Sequence, residues 1–282
     1  MIRKILLALW LAAPAFPQEA PLPPLPPPVV VHPTFLQMSD PQFGMYTNNH
    51  GFAQETANFA FAIATANRLK PAFVVVTGDL INKPGDGAQA AEYKRIAAQL
   101  DPAIQLFNVP GNHDVENEPT PQSLARYRQL FGPDYYTFHC AGISGIVLDS
   151  NLEKAPQNAR REAAKMEAWF EAEILKARRE HAGRVMLFQH IPLFLTDPQE
   201  PDQYFNIPQA ARARYLKLLR RYGVTEVFAG HLHHNSEGRD GPLDMVTTGP
   251  VGKPLGGQSG ICYVTVTAAG VKHEFHEFGD LP

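Results

Sequence analysis

Five short polar clusters in this chain combine the residue types that bind metal ions or transfer protons. Each cluster closely follows a short apolar run, and none of them contains a cysteine. Carboxylate, amide and imidazole donors without a thiolate suit manganese, iron or zinc in a reactive centre better than a structural zinc site. The sequence therefore predicts a centre that holds divalent metal ions. The clusters are Asp40 with Gln42, Asp79, Asn112 with His113, His190, and His231 with His233.

Each cluster taken alone also has an ordinary structural interpretation. Gly78 and Asp79 could form a turn, and His190 could be a core histidine whose hydrogen bonds are satisfied. His231 and His233 could be exposed residues at a strand end. Ligand sites in open α/β sheets form at the carboxyl ends of the strands. Because five apolar runs end in the same way, we expect the clusters to meet at one site.

Asp79 is the natural bridging ligand of such a site, since it ends a strand predicted to be central. A carboxylate between two cations reduces their mutual repulsion. Two cations about 3.5–4 Å apart can hold a hydroxide and clamp a phosphoryl group during in-line attack. The ligand set therefore indicates hydrolysis of a phosphate ester.

The elements that must position these clusters alternate between strand and helix. Apolar runs predict strands at 34–38, 73–77, 105–109, 185–188 and 226–229. Helical patterns cover 53–70, 88–100, 121–131, 160–180 and 210–222. This alternation predicts an α/β domain with much parallel sheet. Residues 109–114 are expected to run from a strand end into a tight turn, because Pro110 stops the strand and Gly111 frees the backbone.

Further short strands complete the expected architecture. A hairpin is predicted from 135–139 and 143–149, and strands from 243–247, 261–267 and 271–275. The β-rich end of the chain suggests a second sheet packed on the first, which gives a four-layer αββα sandwich. Two helices show apolar residues near one face. They are Ala57, Phe61, Ala64 and Leu69 in the first helix, and Met166, Trp169, Phe170, Ile174 and Ala177 in the longest one.

Composition sets limits on the function. The chain has 282 residues, a net charge of -3 and no long run of Lys or Arg, so a nucleic-acid groove is not expected. Cys140 and Cys262 are far apart in sequence. They allow one disulfide, although two separately buried thiols fit better, and they exclude a disulfide framework.

The N-terminal segment predicts export. Arg3 and Lys4 precede an apolar run, and Ala13-Pro14-Ala15 has the form of a cleavage site, so residues 1–15 are expected to be a signal peptide. An uncleaved anchor or a buried strand remains the alternative. Residues 16–33 form a proline-rich linker, and residues 34–282 the folded domain. We expect a periplasmic or secreted protein without stable membrane insertion after cleavage.

The ordered motifs resemble those of the calcineurin-like metallophosphoesterases. The resemblance implies the αββα fold, a site for two divalent metal ions, and His113 as the acid near the leaving group, oriented by Asp114. It assigns Asp40, Gln42 and His233 to one metal, Asn112, His190 and His231 to the other, and Asp79 to both. The motifs are Asp40-x-Gln42, Gly78-Asp79, Gly111-Asn112-His113-Asp114, His190 and Gly230-His231-x-His233.

Gln42 departs from the commonest pattern of that superfamily, which has histidine here. Glutamine can still ligate through its carbonyl oxygen. The stretches 40–44, 188–194 and 204–206 look like the Asp-Pro-Gln branch that includes the eukaryotic calcineurin-like phosphoesterase domain-containing protein 1, which is similar to a Ser/Thr phosphoprotein phosphatase. Purple acid phosphatases place a tyrosine ligand three residues after the bridging aspartate, where this chain has Asn82.

The expected function is therefore hydrolysis of a phosphomonoester, with phosphoprotein among the substrates considered. A phosphodiesterase or nucleotidase of the same fold is the alternative. A catalytically silent cell-surface binding module is the alternative of another class. Weaker candidates for substrate contact, each with an equally simple structural role, are Asn82, Tyr204, Asn206 and His234.

Overall fold

The computed structural model describes residues 33–180 and 184–281. The predicted signal peptide and all but the last residue of the predicted linker lie outside the described residues. Within these ranges the strands are β1 Thr34–Met38, β2 Phe73–Val76, β3 Gln105–Asn108, β4 Tyr136–Cys140, β5 Ile143–Val147, β6 Arg184–Phe188, β7 Glu226–Ala229, β8 Ser236–Asp240, β9 Leu243–Thr247, β10 Gly260–Val266 and β11 Val271–Glu277. The α-helices are α1 Ala53–Leu69, α2 Gly87–Ala97, α3 Asn112–Val115, α4 Pro121–Phe131, α5 Ser150–Lys154, α6 Arg160–Glu180 and α7 Gln209–Tyr222, and a 3₁₀ turn covers Pro156–Asn158.

The strands form two mixed sheets: the second has a parallel centre with an antiparallel strand at each edge, whereas the first is antiparallel at its β11 edge and parallel at its β3 edge. The first sheet has the order β11-β10-β1-β2-β3, and the second has the order β4-β5-β6-β7-β9-β8. The β-rich end of the chain, which suggested the second sheet, is divided between the two sheets. Strands β10 and β11 extend the first sheet, with Leu36 opposite Tyr263, while β8 and β9 extend the second. This division depends on pairing between distant segments, which local patterns do not specify.

The two faces of each central strand enter different apolar layers. In β2, Phe73 and Val75 face the second sheet, whereas Val74 and Val76 pack beneath the helices. The layer between the sheets is rich in phenylalanine, and Phe35 stacks on Phe73 with 4.6 Å between the ring centres. This arrangement confirms the predicted four-layer αββα sandwich.

Helices α1 and α6 test the predicted apolar faces. The face predicted for α6 is confirmed, because four of its residues are buried and Trp169 packs against the core. The face predicted for α1 is wrong, since Ala57 and Ala64 are exposed and Phe61 is 46% exposed. The buried face carries polar residues, among them Glu55, which accepts hydrogen bonds from the backbone of Gly44 and Tyr46. The same face carries the apolar residues Phe59, Ala62, Ile63 and Ala66 at helical spacing, so the sequence does contain the pattern of the buried face, and the prediction chose the wrong apolar residues.

The two cysteines are unpaired, as the sequence favoured. Cys140 is half-buried in β4 and Cys262 is buried in β10, so they lie in different sheets.

Candidate metal centre

The predicted ligands lie in loops at the carboxyl ends of β1, β2, β3, β6 and β7. Backbone hydrogen bonds join neighbouring loops within each sheet: Asp40 N donates to Gly78 O at 3.1 Å in the first sheet, and Gly230 N donates to His190 O at 3.0 Å in the second. Asn112 begins the short helix α3, where the sequence predicted only a turn. The structure thus brings all five clusters to one edge of the sandwich.

Five of the seven predicted ligands have a backbone conformation that is unusual for residues with a Cβ atom. Their φ angles lie between 39° and 70°. Such angles cost free energy and persist where the surroundings enforce them, which is common at functional sites. The five residues are Asp40, Gln42, Asp79, His231 and His233.

Two groups of ligand atoms share Asp79. In each group the ligand atoms all lie within 4.8 Å of one another, one group being Asp79, His190 and His231, the other Asp40, Asp79 and His233. The Nε2 atom of His190 is 3.4 Å from Asp79 Oδ2 and 3.0 Å from Asn112 Oδ1. This geometry matches the two ligand sets implied by the sequence resemblance.

Unpartnered oxygens show that the site fits cations. Gln42 Oε1 and Asp40 Oδ1 are buried and accept no hydrogen bond from any described residue. A buried acceptor without a partner costs about 1–3 kcal/mol. A cation between these oxygens and His233 Nε2, which is 3.4 Å from Asp40 Oδ1, would remove that cost.

The histidines are oriented for ligation by backbone carbonyls. His190 Nδ1 is 2.8 Å from Thr77 O, and His233 Nδ1 is 2.6 Å from Lys253 O, so both rings turn their Nε2 atoms towards the other predicted ligands. In His231 the Nε2 atom is 3.3 Å from Tyr204 O, which leaves Nδ1 available.

Opposite charges control ionisation in the site. Burial opposes the charge on Asp79, but His190 and His113 outweigh it and hold the pKa of Asp79 below its usual range. Burial would lower the pKa of His190, yet the charge of Asp79 raises it to about 9. Burial and the charge of His190 lower the pKa of His231 to about 3. Since imidazole ligates only when neutral, metal binding here is linked to release of a proton.

His113 lies beside the bridging carboxylate. Its backbone N–H donates to Asp79 Oδ1 at 2.8 Å, and its ring Nδ1 is 2.7 Å from the carbonyl oxygen of Asn82. The Nε2 atom has no hydrogen bond within the part of the chain that the structure describes, so it can face a substrate.

Asp114 does not orient the His113 ring, contrary to the expectation. The buried Asp114 carboxylate accepts backbone N–H bonds from Leu80 at 3.2 Å, Ile81 at 3.1 Å and Gly111 at 2.8 Å. It therefore ties the Asp79 loop to the Asn112 loop. Burial and the nearby charge of Asp79 raise the pKa of Asp114 to about 8.

The four weak substrate candidates separate into different roles. Asn206 is fully buried and donates to Glu200 Oε1 at 2.6 Å, so it is a structural residue and not a substrate contact. Asn82 contacts Gln42. Tyr204 is 50% exposed, and its hydroxyl is 3.4 Å from Asn112 Nδ2. His234 lines a cavity of about 400 Å³ together with Asn235, Leu255 and Phe275.

Sequence reasoning missed two residues that support the centre. The Ser39 hydroxyl donates a hydrogen bond to the carboxylate of Asp40. Lys154 donates to Gln203 O at 2.8 Å and to Asn206 O at 2.7 Å, and its ammonium group lies 6.0 Å from the Tyr204 ring centre. Only the position of Ser39 next to Asp40 offered a signal, because Lys154 lies far from every motif in sequence.

Known proteins resemble this chain along most of its length. Residues 33–235 match the sequence profile of the calcineurin-like phosphoesterases. The serine/threonine-protein phosphatase CPPED1 of Danio rerio is 33% identical over 88% of this chain and 85% of its own length. CPPED1 of Homo sapiens is 33% identical over 88% of this chain and 84% of its own length. The crystal structure of a dimetal phosphatase from Danio rerio has a TM-score of 0.64 and 15% identity, and covers 87% of this chain and 96% of that one.

Proposed function

We propose, from the premise that this chain belongs to the calcineurin-like phosphoesterases, that it hydrolyses phosphomonoesters on serine or threonine side chains of proteins. The chain is a metal-dependent phosphoesterase, and its substrates are phosphate esters. The observation that supports a dimetal reaction most strongly is the pair of ligand groups that share Asp79. The names of the relatives at 33% identity support the protein substrate.

In this proposal, Asp40, Gln42 and His233 would hold one divalent ion, Asn112, His190 and His231 would hold another, and Asp79 would be shared between them. Such ions supply an activated water molecule and neutralise charge on the phosphoryl oxygens. Gly111 allows the two ligand loops to approach, because a Cβ atom there would collide with the backbone N and Oδ1 of Asp79.

His113 protonates the departing serine or threonine oxygen. Its Nδ1–H donates to the Asn82 carbonyl, which fixes the orientation of the ring. Nε2 then delivers the proton. Tyr204, exposed beside Asn112 and with its ring centre 4.9 Å from that of His231, forms one wall for the peptide that carries the phosphate.

A substrate panel tests this proposal. Phosphoserine and phosphothreonine peptides, a nucleoside monophosphate and bis-p-nitrophenyl phosphate are compared by kcat/KM in protein of measured metal content. We expect the phosphopeptides to be preferred. Preference for the diester or the nucleotide would replace the proposal with the phosphodiesterase or nucleotidase alternative, and metal-loaded protein without turnover would indicate a binding module.

We also propose that the protein is exported, on the strength of Arg3, Lys4 and the apolar run that follows. Export would direct it to phosphoproteins outside the cytosol. Among residues 33–180 and 184–281, no helix combines the length and apolar character needed to cross a bilayer. N-terminal sequencing of the secreted or periplasmic fraction is expected to begin near Phe16, and an intact Met1 in cytosolic protein would contradict export.

A further inference from the structure

Four side-chain amides form a continuous hydrogen-bonded chain that leads from helix α2 to the metal centre. The Oε1 atom of Gln89 accepts the backbone N–H groups of Asn82 at 3.0 Å and Lys83 at 2.9 Å. Gln89 Nε2 donates to Asn49 Oδ1 at 2.9 Å, and Asn82 Nδ2 donates to the same oxygen at 2.8 Å. Gln42 Nε2 then donates to Asn82 Oδ1 at 3.1 Å.

The direction of every bond in this chain follows from its first member. Backbone N–H groups can only donate, so the end of Gln89 that meets them must be its oxygen. Its Nε2 must then face Asn49, whose contacting atom must be an oxygen, and the same oxygen requires the nitrogen of Asn82. Asn82 therefore turns its oxygen to Gln42, and Gln42 turns its nitrogen to Asn82. The Gln42 oxygen is left facing the ligands, buried and without a hydrogen bond from any residue in the described part of the chain.

We propose that Gln89, Asn49 and Asn82 are positioning residues that select which end of the Gln42 amide meets the metal ion. The oxygen and nitrogen ends of an amide have nearly the same shape, so packing alone selects weakly between them. Only the oxygen end binds a cation, because the NH₂ end carries donors and no lone pair for a metal. The ligands His190 and His233 are each oriented by one backbone carbonyl, whereas the Gln42 amide is oriented by this chain of amides.

The backbone leaves room for the chain of amides at Gly44. Gly44 has a φ of 108°, and a Cβ atom there would collide with the side chains of Gln89 and Asn49. Gln89 is buried, with 2% of its surface exposed, whereas Asn49 is exposed. The inference depends on the metal centre of the proposed function, but not on the identity of the substrate.

Two substitutions separate the effect of hydrogen-bond direction from the effect of added charge. Each of them replaces one amide in the chain of amides by a carboxylate. Asn49→Asp keeps both of its bonds, since Asn49 only accepts there. Gln89→Glu still accepts from the backbone but can no longer donate, so Asn49, Asn82 and Gln42 must all turn round. Mn²⁺ binding to chelator-stripped protein is measured by electron paramagnetic resonance. We expect Gln89→Glu to raise the Kd of one of two Mn²⁺ ions by about 10–100-fold, as for other residues that orient ligands, and Asn49→Asp to leave it unchanged.

A second experiment asks whether Gln42→Glu restores the Mn²⁺ binding that Gln89→Glu weakens. Gln42→Glu offers an oxygen in either orientation, so in that background Gln89→Glu should no longer weaken Mn²⁺ binding. Equal losses in Asn49→Asp and Gln89→Glu, or no rescue by Gln42→Glu, would overturn the inference.

A further variant keeps the test valid if Gln89→Glu does not fold by circular dichroism. Asn82→Leu removes the amide and retains the carbonyl that contacts His113. It should weaken Mn²⁺ binding when residue 42 is glutamine and have little effect when it is glutamate, and equal effects in the two backgrounds would overturn the inference. Wild-type protein that binds no Mn²⁺ would instead refute the proposed function.

Discussion

Asp79 and Asp149 are two buried aspartates that follow parallel strands, one in each sheet. Asp79 is 1% exposed and Asp149 is fully buried. Burial opposes the charge on both, but the imidazoles of His190 and His113 keep the pKa of Asp79 low. At Asp149, burial raises the pKa to about 7, with a further contribution from the charge of Asp134. Partner charge, not depth, therefore decides which buried carboxylate remains ionised and able to hold metal ions.

The region around Asp149 also contains buried carboxyl groups, but their role is structural. Asp149 Oδ1 accepts from Asn151 N at 3.0 Å and from Asn151 Nδ2 at 2.8 Å, which caps helix α5. Glu153, one turn later, is 5% exposed and has two oxygens without hydrogen bonds in the described ranges. Burial and the charge of Asp149 raise the pKa of Glu153 well above its ordinary value. These carboxyls are stable as neutral acids, whereas Asp79 functions as an anion.

Replacing aspartate by asparagine should cause a large loss of activity at Asp79 and little change at Asp149. The loss at Asp79 is the largest effect that we expect. Asp79→Asn removes the shared anion, so metal content should fall and activity should drop by more than the roughly 10⁴-fold upper range of general acid catalysis. Asp149→Asn is the matched control, because the amide oxygen still caps α5. Metal analysis and kcat/KM measure both variants. Equal losses would show that the histidine partners do not distinguish the two aspartates.

His113→Asn should preserve metal content and damage catalysis according to the leaving group. An alkyl phosphate leaves as a strongly basic alkoxide, so its kcat/KM should fall roughly 10²–10⁴-fold, while an activated aryl phosphate should lose much less. Asn112→Ala, at the adjacent ligand, should reduce both esters alike and recover partly with added metal. Loss of metal in His113→Asn, or equal damage to both esters, would exclude His113 as the acid.

Gln42→Ala tests the neutral amide ligand Gln42, in contrast to the anionic ligand Asp79. Loss of its carbonyl oxygen should lower the metal content from about two ions towards one per chain, since each ion of a dimetal site needs its own donors. Metal analysis at limiting Mn²⁺ measures this change. Gln54→Ala is a control, because the Gln54 amide also donates to an asparagine oxygen, Asn58 Oδ1 at 2.8 Å, but is not part of the chain of amides that leads to Gln42. Unchanged stoichiometry would remove Gln42 from the ligand set.

The sequence predicted the convergence of ligands better than the contacts that hold them. Parallel strands present their carboxyl ends at one edge, so Asp79 and His190 could be placed together without knowledge of the packing. The role of Asp114 was missed, because the backbone N–H groups that donate to its carboxylate belong to a loop more than thirty residues away. Bonds between remote segments have no local pattern. The buried face of α1 was misassigned for a different reason: its residues Phe59, Ala62, Ile63 and Ala66 have helical spacing, but the prediction chose another apolar set that includes the exposed Phe61.

Glu153→Gln should give the smallest effect, a change in stability that depends on pH. Below the ordinary pKa of a glutamate, the native and unfolded chains both carry the proton, so Glu153 causes no penalty. As pH rises, the unfolded chain releases that proton while burial retains it in the native state. The wild-type protein therefore loses about 1.4 kcal/mol per pH unit until Glu153 ionises in the native state. Glutamine has no proton to release and avoids this loss.

The variant and the wild-type protein should accordingly have similar Tm values near pH 4.5, and the variant should be more stable at pH 8. For a domain of this size, each kcal/mol corresponds to roughly 2–4 °C in Tm. Subtracting the wild-type value at each pH cancels the stabilisation that metal binding adds to both proteins. Glu171→Gln, at an exposed glutamate, is the control and should show no such trend. If the difference between Glu153→Gln and wild type is the same at both pH values, Glu153 is ionised in the native state, and the distinction between a neutral acidic region and an anionic metal centre fails.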